Sequence, residues 1–233
     1  MSGGGEDAGS HDLHAAAVVF DLDGTLVDSR LDFAAMRSDV LDLLAAAGIP
    51  WTGARREVAL AELLSWARQA GGDGPQSAYA EAMRRVGEAE RIGDTAPAMD
   101  GASAVLAALR REGAAIAVLT NNAREGSWRQ LDRLGLRQAV DFVLTRDDVP
   151  ALKPDPRGLR MAFERLGDRP QRWFVGDSWI DAAAAHALGV PFLAMHMAPE
   201  VLERHGLPAP AAHIRHLSQV LEAVRRVAHG TGG

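Results

Sequence analysis

Residues 16–29 read AAVVFDLDGTLVDS, an apolar run followed at once by a short acidic turn. The run Ala16–Phe20 has no polar face, which is typical of a strand buried on both sides of a parallel sheet. It ends at Asp21, and Asp23 and Gly24 follow within three residues. In open parallel sheets, ligands bind at the carboxyl ends of the strands. The stretch therefore predicts a buried strand that brings two carboxylates to a ligand-binding edge.

The rest of the chain repeats this arrangement of a short apolar run and a helical pattern. Further strands are predicted at residues 115–119, 142–144, 173–175, 191–195 and 211–214. Helices are predicted near residues 101–111, 124–134, 157–166, 179–188 and 218–228. Strands that are apolar on both faces and alternate with helices indicate a parallel sheet covered on both sides. We therefore predict an α/β fold with a Rossmann-like, doubly wound parallel sheet as its core.

Residues 30–97, the helical insertion, interrupt this alternation. They contain helical patterns at residues 31–47, 54–69 and 77–91 and no convincing strand. We predict that they form a small inserted alpha-helical cap domain, and that residues 15–29 and 98–229 form the Rossmann-like catalytic core. Residues 1–14 are Gly-rich and lack the apolar segment of a signal peptide, so a flexible N-terminal tail is expected.

The composition argues against several classes of protein. Of the 233 residues, 47% are hydrophobic and 24% are charged, as in ordinary globular proteins. The formal net charge of −6 argues against binding to nucleic acid or to anionic membranes. The chain has no cysteine, which rules out disulfides and thiolate chemistry. No apolar run reaches the roughly 18 residues of a membrane span. We therefore expect a soluble, cytoplasmic protein with no nucleic acid or membrane partner.

Polar residues follow three of the predicted strands at the point where each strand ends. They are Asp21 and Asp23 after the first, Thr120 and Asn121 after the second, and Asp177 and Asp181 after the fourth. Lys153, the only lysine among 25 basic side chains, lies beyond the third strand. Each aspartate alone could be a helix N-cap. Clustered carboxylates, however, raise one another's pKa unless a cation is present, and an oxygen-only ligand set suits Mg²⁺. The sequence therefore predicts a Mg²⁺ site beside a single ammonium.

Four motifs occur in order along the chain: VVFDLDGTLVDS (18–29), AVLTNN (117–122), LKPDP (152–156) and VGDSWIDAAAAHALGV (175–190). Together they resemble the motifs of the haloacid dehalogenase superfamily of phosphohydrolases, and most of all its phosphoglycolate phosphatase-like members. The resemblance covers residues from about 15 to 228. The helical insertion matches the position and size of the family's small alpha-helical cap.

The resemblance implies a role for each strand-end residue. Asp21 would be the nucleophile that forms an aspartyl phosphate, and Asp23 the general acid and base. The transferring phosphoryl group would be held by Thr120, by the backbone N–H of Asn121 and by Lys153. The metal residues would be Asp21, the backbone carbonyl of Asp23, and Asp177, with Asp181 orienting them or acting through a water.

The function implied by the resemblance is Mg²⁺-dependent hydrolysis of a small phosphorylated metabolite, a phosphate monoester. Dehalogenases need no second acid, so Asp23 argues against them. Phosphonate cleavage needs a lysine in the cap, and the helical insertion has none. Two alternatives stay open at this point: a sugar-phosphate mutase of the same superfamily, and a non-catalytic phospho-acceptor or binding module.

Overall fold

The strands predicted from the sequence lie side by side in one parallel sheet. The computed structural model describes residues 13–230 except residues 30, 50, 52, 54–57, 73, 75 and 94. Within this part of the chain the strands are β1 (Ala16–Phe20), β2 (Ala115–Leu119), β3 (Phe142–Leu144), β4 (Gln171–Gly176), β5 (Phe192–Met195) and β6 (Ala212–Ile214). Their order is β3-β2-β1-β4-β5-β6, and every neighbouring pair is parallel. The strand order reverses between β1 and β4, where open α/β sheets bind ligands.

Six helices cover the two faces of this sheet. They are α4 (Ala102–Arg111), α5 (Arg124–Arg133), α6 (Arg157–Leu166), α7 (Trp179–Ala187), α8 (Pro199–Arg204) and α9 (Ser218–Gly230). Along β1, Val18 and Phe20 pack in one hydrophobic cluster with α4, α5 and α9, while Ala17 and Val19 pack in a second with α6, α7 and α8. This alternation follows from the two-residue period of a strand. The predicted doubly wound Rossmann-like sheet is thereby confirmed.

Three helices of the helical insertion form a third hydrophobic cluster of their own. They are α1 (Phe33–Ala46), α2 (Leu60–Gly71) and α3 (Ala78–Gly93). Their buried side chains include Val40, Leu44 and Leu63, which are fully enclosed. Trp51 and Trp66 pack against this cluster edge to face, with ring centroids 6.0 Å apart. A separate cluster is what a small unit needs in order to hold its own shape.

The predicted elements and the observed ones differ in a few places. Helix α2 begins at Leu60, six residues later than predicted, and residues 54–57 lie outside the described part of the chain. Helix α8 and a 3-10 turn at Arg137–Ala139 were not predicted, because segments of six and three residues are too short to show a helical period. The predicted tail, residues 1–14, falls mostly outside the described residues, which begin at residue 13. Among the described helices, none combines the length and apolarity needed to cross a membrane.

Candidate active site

A cavity of about 220 Å³ opens at the carboxyl edge of the sheet, where β1 and β4 meet α1, α2 and α3. The sheet positions its walls: the Asp21 N–H donates to the Val175 carbonyl at 2.9 Å, and the Thr120 N–H to the Leu144 carbonyl at 3.0 Å. Six of the seven site residues predicted from the sequence line the cavity: Asp21, Asp23, Thr120, Asn121, Lys153 and Asp177. The seventh, Asp181, is fully buried outside the cavity lining and contacts the ammonium of Lys153.

Lys153 places its ammonium between two carboxylates. Its Nζ lies 2.5 Å from Asp21 Oδ1 and 2.7 Å from Asp181 Oδ1, and it also donates to the Leu119 carbonyl at 3.1 Å. The side chain is only 3% exposed. Burial alone would lower the pKa of Lys153, but Asp181 and Asp21 raise it above its ordinary value. The ammonium is therefore fixed in its charged form beside Asp21.

The Asn121 side chain, just after β2, holds the backbone of the loop that carries Lys153. Its Oδ1 accepts from the Lys153 backbone N–H at 2.9 Å, and its Nδ2 donates to the Lys153 carbonyl at 2.9 Å. The resemblance assigned only the backbone N–H of Asn121 a role, so this contact is new. Because two hydrogen bonds fix the backbone of Lys153, the position of its ammonium beside Asp21 depends on this backbone anchor as well as on electrostatic attraction.

Asp23 is held by neutral groups and not by a cation. Asn122 Nδ2 donates to Asp23 Oδ2 at 2.5 Å, and Ser29 also hydrogen-bonds the carboxyl. Burial raises the pKa of Asp23, and the hydrogen bonds from Ser29 and Asn122 only partly offset it. A raised pKa favours the protonated form of a carboxyl group, which is the direction that a general acid requires. No contact with Asp23 is predicted for Ser29 from the sequence, so this hydrogen bond is a finding of the structure.

Three carboxylates converge beside Lys153 at the strand ends. Asp21, Asp177 and Asp181 each offer an oxygen within 4.8 Å of the others. Burial, and then repulsion from Asp181, raise the pKa of Asp21 well above its ordinary range, although Lys153 opposes this. The same two causes raise the pKa of Asp177 to about 7. Such a cluster is short of positive charge, since one ammonium faces three acids.

Asp181, the third residue of α7, also takes part in capping that helix. Its Oδ2 accepts hydrogen bonds from the Ser178 N–H, at 3.1 Å, and from the Ser178 hydroxyl, at the start of α7. The N-cap of α7 is Ser178 and not Asp181, which completes the capping box as the third helical residue, and the other oxygen of Asp181 reaches Lys153. One residue therefore fixes both the start of α7 and the ammonium.

Gly24 leaves the space that Asp177 occupies. A Cβ atom on Gly24 would lie 1.9 Å from Asp177 Oδ2, and the residue has φ +69°, which favours glycine. The turn after β1 and the carboxylate after β4 therefore fit together only with glycine at this position.

A buried ion pair joins the helical insertion to the sheet at the cavity wall. Arg146, after β3, lies 2.6 Å from Glu90 Oε1 on α3, and the two side chains are 9% and 11% exposed. Burial raises the pKa of Glu90, and Arg146 opposes the shift. The guanidinium of Arg146 is thus already neutralised within the cavity.

The helical insertion carries several arginines that could contact an anionic substrate, among them Arg55, Arg56, Arg68, Arg84, Arg85 and Arg91. Arg84, Arg85 and Arg91 form ion pairs with Glu81 or Glu88 on the exposed side of α3. Arg68 lies over the Tyr79 ring in a separate groove, and Arg55 and Arg56 lie outside the described residues. Arg37, on α1, lines the cavity. The sequence around Arg37 shows only that it lies one helical turn after Phe33, which does not indicate that it faces a cavity.

Comparison with known proteins relates this geometry to a family. The haloacid dehalogenase-like hydrolase family model matches residues 15–189. A plasmid phosphoglycolate phosphatase of Cupriavidus necator is 34% identical over 187 residues, which are 77% of this chain and 80% of the relative. The phosphoglycolate phosphatase of Escherichia coli K12 is 30% identical over 232 residues, covering 89% and 91%. A hydrolase from Pseudomonas syringae has the same fold, with a TM-score of 0.68 at 23% identity over 91% of this chain and 99% of that one.

Proposed function

The chain belongs to the haloacid dehalogenase-like hydrolases and is a phosphatase, and from that premise we propose that it hydrolyses a small phosphate monoester through an aspartyl phosphate on Asp21. The observation that carries the proposal is that two carboxyl groups with different hydrogen-bond partners line one cavity. Asp21 is paired with a buried ammonium, whereas Asp23 is held by an amide and a hydroxyl. Carboxyl groups in unlike environments are suited to unlike roles, here nucleophile and general acid.

The chain's own residues account for the positioning that phosphoryl transfer needs. The Asp21 carboxylate attacks phosphorus, the bond to the leaving oxygen breaks, and Asp23 gives that oxygen its proton. Asp23, now a carboxylate, takes a proton from the water that cleaves the aspartyl phosphate, which restores both residues. Thr120 and the Asn121 N–H are proposed to hold the phosphoryl oxygens, and Lys153 to neutralise their charge.

Mg²⁺ is proposed as the cofactor, and the residues present suit it. The converging oxygens of Asp21, Asp177 and Asp181 form a hard, oxygen-only donor set that is short of positive charge. Asp21, Asp177 and the Asp23 backbone carbonyl would hold the ion, and Asp181 would orient them. Bound there, Mg²⁺ would lower the pKa values of Asp21 and Asp177 and neutralise charge on the phosphoryl group.

The proposal extends to the organisation and the setting of the enzyme. Residues 15–29 and 98–229 would form the catalytic core, and the helical insertion would be a cap domain that closes the cavity over the leaving group. The separate hydrophobic cluster of α1, α2 and α3 supports this division. The substrate would be a small phosphorylated metabolite in the cytoplasm, and phosphoglycolate, the substrate in the relatives' names, is the first candidate.

The test combines turnover with trapping of the intermediate. Purified protein is expected to release phosphate from phosphoglycolate in the presence of Mg²⁺, and to stop when EDTA is added. Borohydride reduction during turnover should label Asp21, as mass spectrometry can detect. A stable acyl phosphate without turnover would indicate a phospho-acceptor instead, and turnover only with a bisphosphate activator would indicate a mutase. No phosphate release from any ester of a broad panel would contradict the proposal.

Gly24→Ala is expected to weaken Mg²⁺ binding by about 10- to 100-fold, because the new methyl group displaces Asp177. Isothermal titration of the purified protein with Mg²⁺ measures this directly, without relying on turnover. Gly48→Ala is the matched control, since Gly48 has φ +75° and a Cβ atom added there would meet no atom within 4 Å. Both variants carry the same backbone penalty, so equal Mg²⁺ affinities would show that Asp177 does not hold the ion.

A further inference from the structure

Three cations of the described residues line the cavity, and two of them are already neutralised. Lys153 is bound by Asp21 and Asp181, and Arg146 by Glu90. The third, Arg37, has no ion-pair or hydrogen-bond partner within the part of the chain that the structure describes. An unpaired guanidinium in a cavity is available to an anionic ligand, since it presents a planar fork of donors that matches a carboxylate.

Arg37 reaches the cavity from the helical insertion, on the side away from the sheet. It lies one turn after Phe33 on α1, so the two side chains share a face of that helix, and both line the cavity. Phe33 is 41% exposed although it is a large apolar residue, and Arg37 is half-buried. The same helix face therefore offers an apolar surface and one positive charge to whatever occupies the space beyond the phosphoryl site.

The remaining wall on this side is apolar. Apart from Arg37 and the neutralised Glu90, the described residues that the helical insertion contributes are Phe33, Met36, Leu60, Leu64, Val86 and two alanines. The hydroxyl groups of a sugar would meet few partners there, and buried polar groups without partners are strongly disfavoured. The wall suits a short carbon skeleton that ends in a single anionic group.

We infer that Arg37 is the specificity-determining residue of the site, and that it receives a carboxylate at the far end of a short leaving group. The inference rests on the proposed phosphatase function. A carboxylate carries one negative charge, which the single positive charge of Arg37 balances. A second phosphate would carry up to two negative charges, which one guanidinium cannot balance. The cavity volume of about 220 Å³ also favours a small ester over a sugar bisphosphate.

A matched pair of substrates tests the inference: phosphoglycolate, and ethyl phosphate, which has the same two carbons and no carboxylate. The native protein is expected to favour phosphoglycolate by about 10- to 100-fold in kcat/KM, the usual effect of a charge-assisted contact. Arg37→Gln should remove most of that preference, chiefly by raising KM, and should change ethyl phosphate hydrolysis by less than about threefold. Arg37→Lys should retain part of the preference, because it keeps the charge and loses the fork.

Arg84→Gln is the control, because Arg84 is exposed on α3 and its ion-pair partners among the described residues are Glu81 and Glu88. It should leave the preference unchanged. The inference is overturned if the native protein hydrolyses both esters equally well, or if Arg37→Gln keeps the preference while circular dichroism shows a folded chain. It is also overturned if a sugar bisphosphate is preferred and that preference depends on Arg37. Each of these results leaves the proposed phosphatase intact, whereas no hydrolysis of any ester overturns both.

Discussion

Asp21→Asn is expected to reduce kcat for phosphate release by more than about 10⁴-fold, because an amide cannot form the acyl phosphate. The substitution keeps the shape of the side chain. Asp21 lies at the end of β1 with its backbone N–H bonded to Val175, so the position of residue 21 should not change. Steady-state phosphate release measures the loss, and borohydride trapping should no longer label residue 21.

The same substitution should not destabilise the fold in Mg²⁺-free buffer. Burial and repulsion from Asp181 both act against a charged Asp21, which its raised pKa reflects. A neutral amide removes this repulsion, and Lys153 keeps its contact with Asp181. The melting temperature should therefore equal or exceed that of the native protein, as is common when a catalytic residue in a strained site is replaced.

Asp155→Asn serves as the control for a lost carboxylate. Asp155 lies two residues after Lys153, but it faces a different groove and pairs with Arg157. The activity of the Asp155→Asn variant should remain within about threefold of native, since exposed ion pairs contribute little to stability. Turnover that survives Asp21→Asn at more than about one per cent of the native rate would mean that another group is the nucleophile.

Much of this architecture is predictable because strands buried on both faces have a simple sequence pattern. Ala16–Phe20 and Ala115–Leu119 coincide with the observed strands, and all the observed strands lie within two residues of their predicted bounds. Strand ends in a parallel sheet meet at one edge, so their polar residues can be placed together without knowledge of any distance. The meeting of Asp21, Thr120 and Asp177 at the cavity follows from this rule alone.

The side chains that sequence reasoning missed are those whose partners lie on another element. Asn121 binds the backbone of Lys153, and Ser29 binds Asp23, through contacts that depend on how loops pack. Arg37 and Arg84 are both arginines on helices of one insertion, yet one lines the cavity and the other lies on the exposed surface. Helical periodicity gives the face of a residue but not the element opposite it. Only the packing of the helical insertion around the cavity distinguishes them.

Lys153→Met is expected to lower kcat/KM by about 10²- to 10³-fold, the usual effect of removing one preorganised charge at a phosphoryl group. It should also destabilise the protein in Mg²⁺-free buffer by about 3–5 kcal/mol, since it leaves buried carboxylates without their ammonium. Urea unfolding measures the free energy of unfolding. Arg157→Met is the control, because Arg157 is exposed and, within the described part of the chain, pairs with Asp155 alone.

Lys153→Arg separates the need for a positive charge from the need for a compact one. Every other basic side chain of this protein is arginine, so the exception at residue 153 calls for a physical reason. Three oxygens surround Nζ, those of Asp21, Asp181 and Leu119, and the side chain is only 3% exposed. A planar guanidinium is wider than an ammonium and cannot point donors at three converging oxygens in so closed a space. The arginine variant should therefore stay within about tenfold of Lys153→Met in kcat/KM, as steady-state kinetics would show. A native rate in that variant would mean that charge alone suffices at this position.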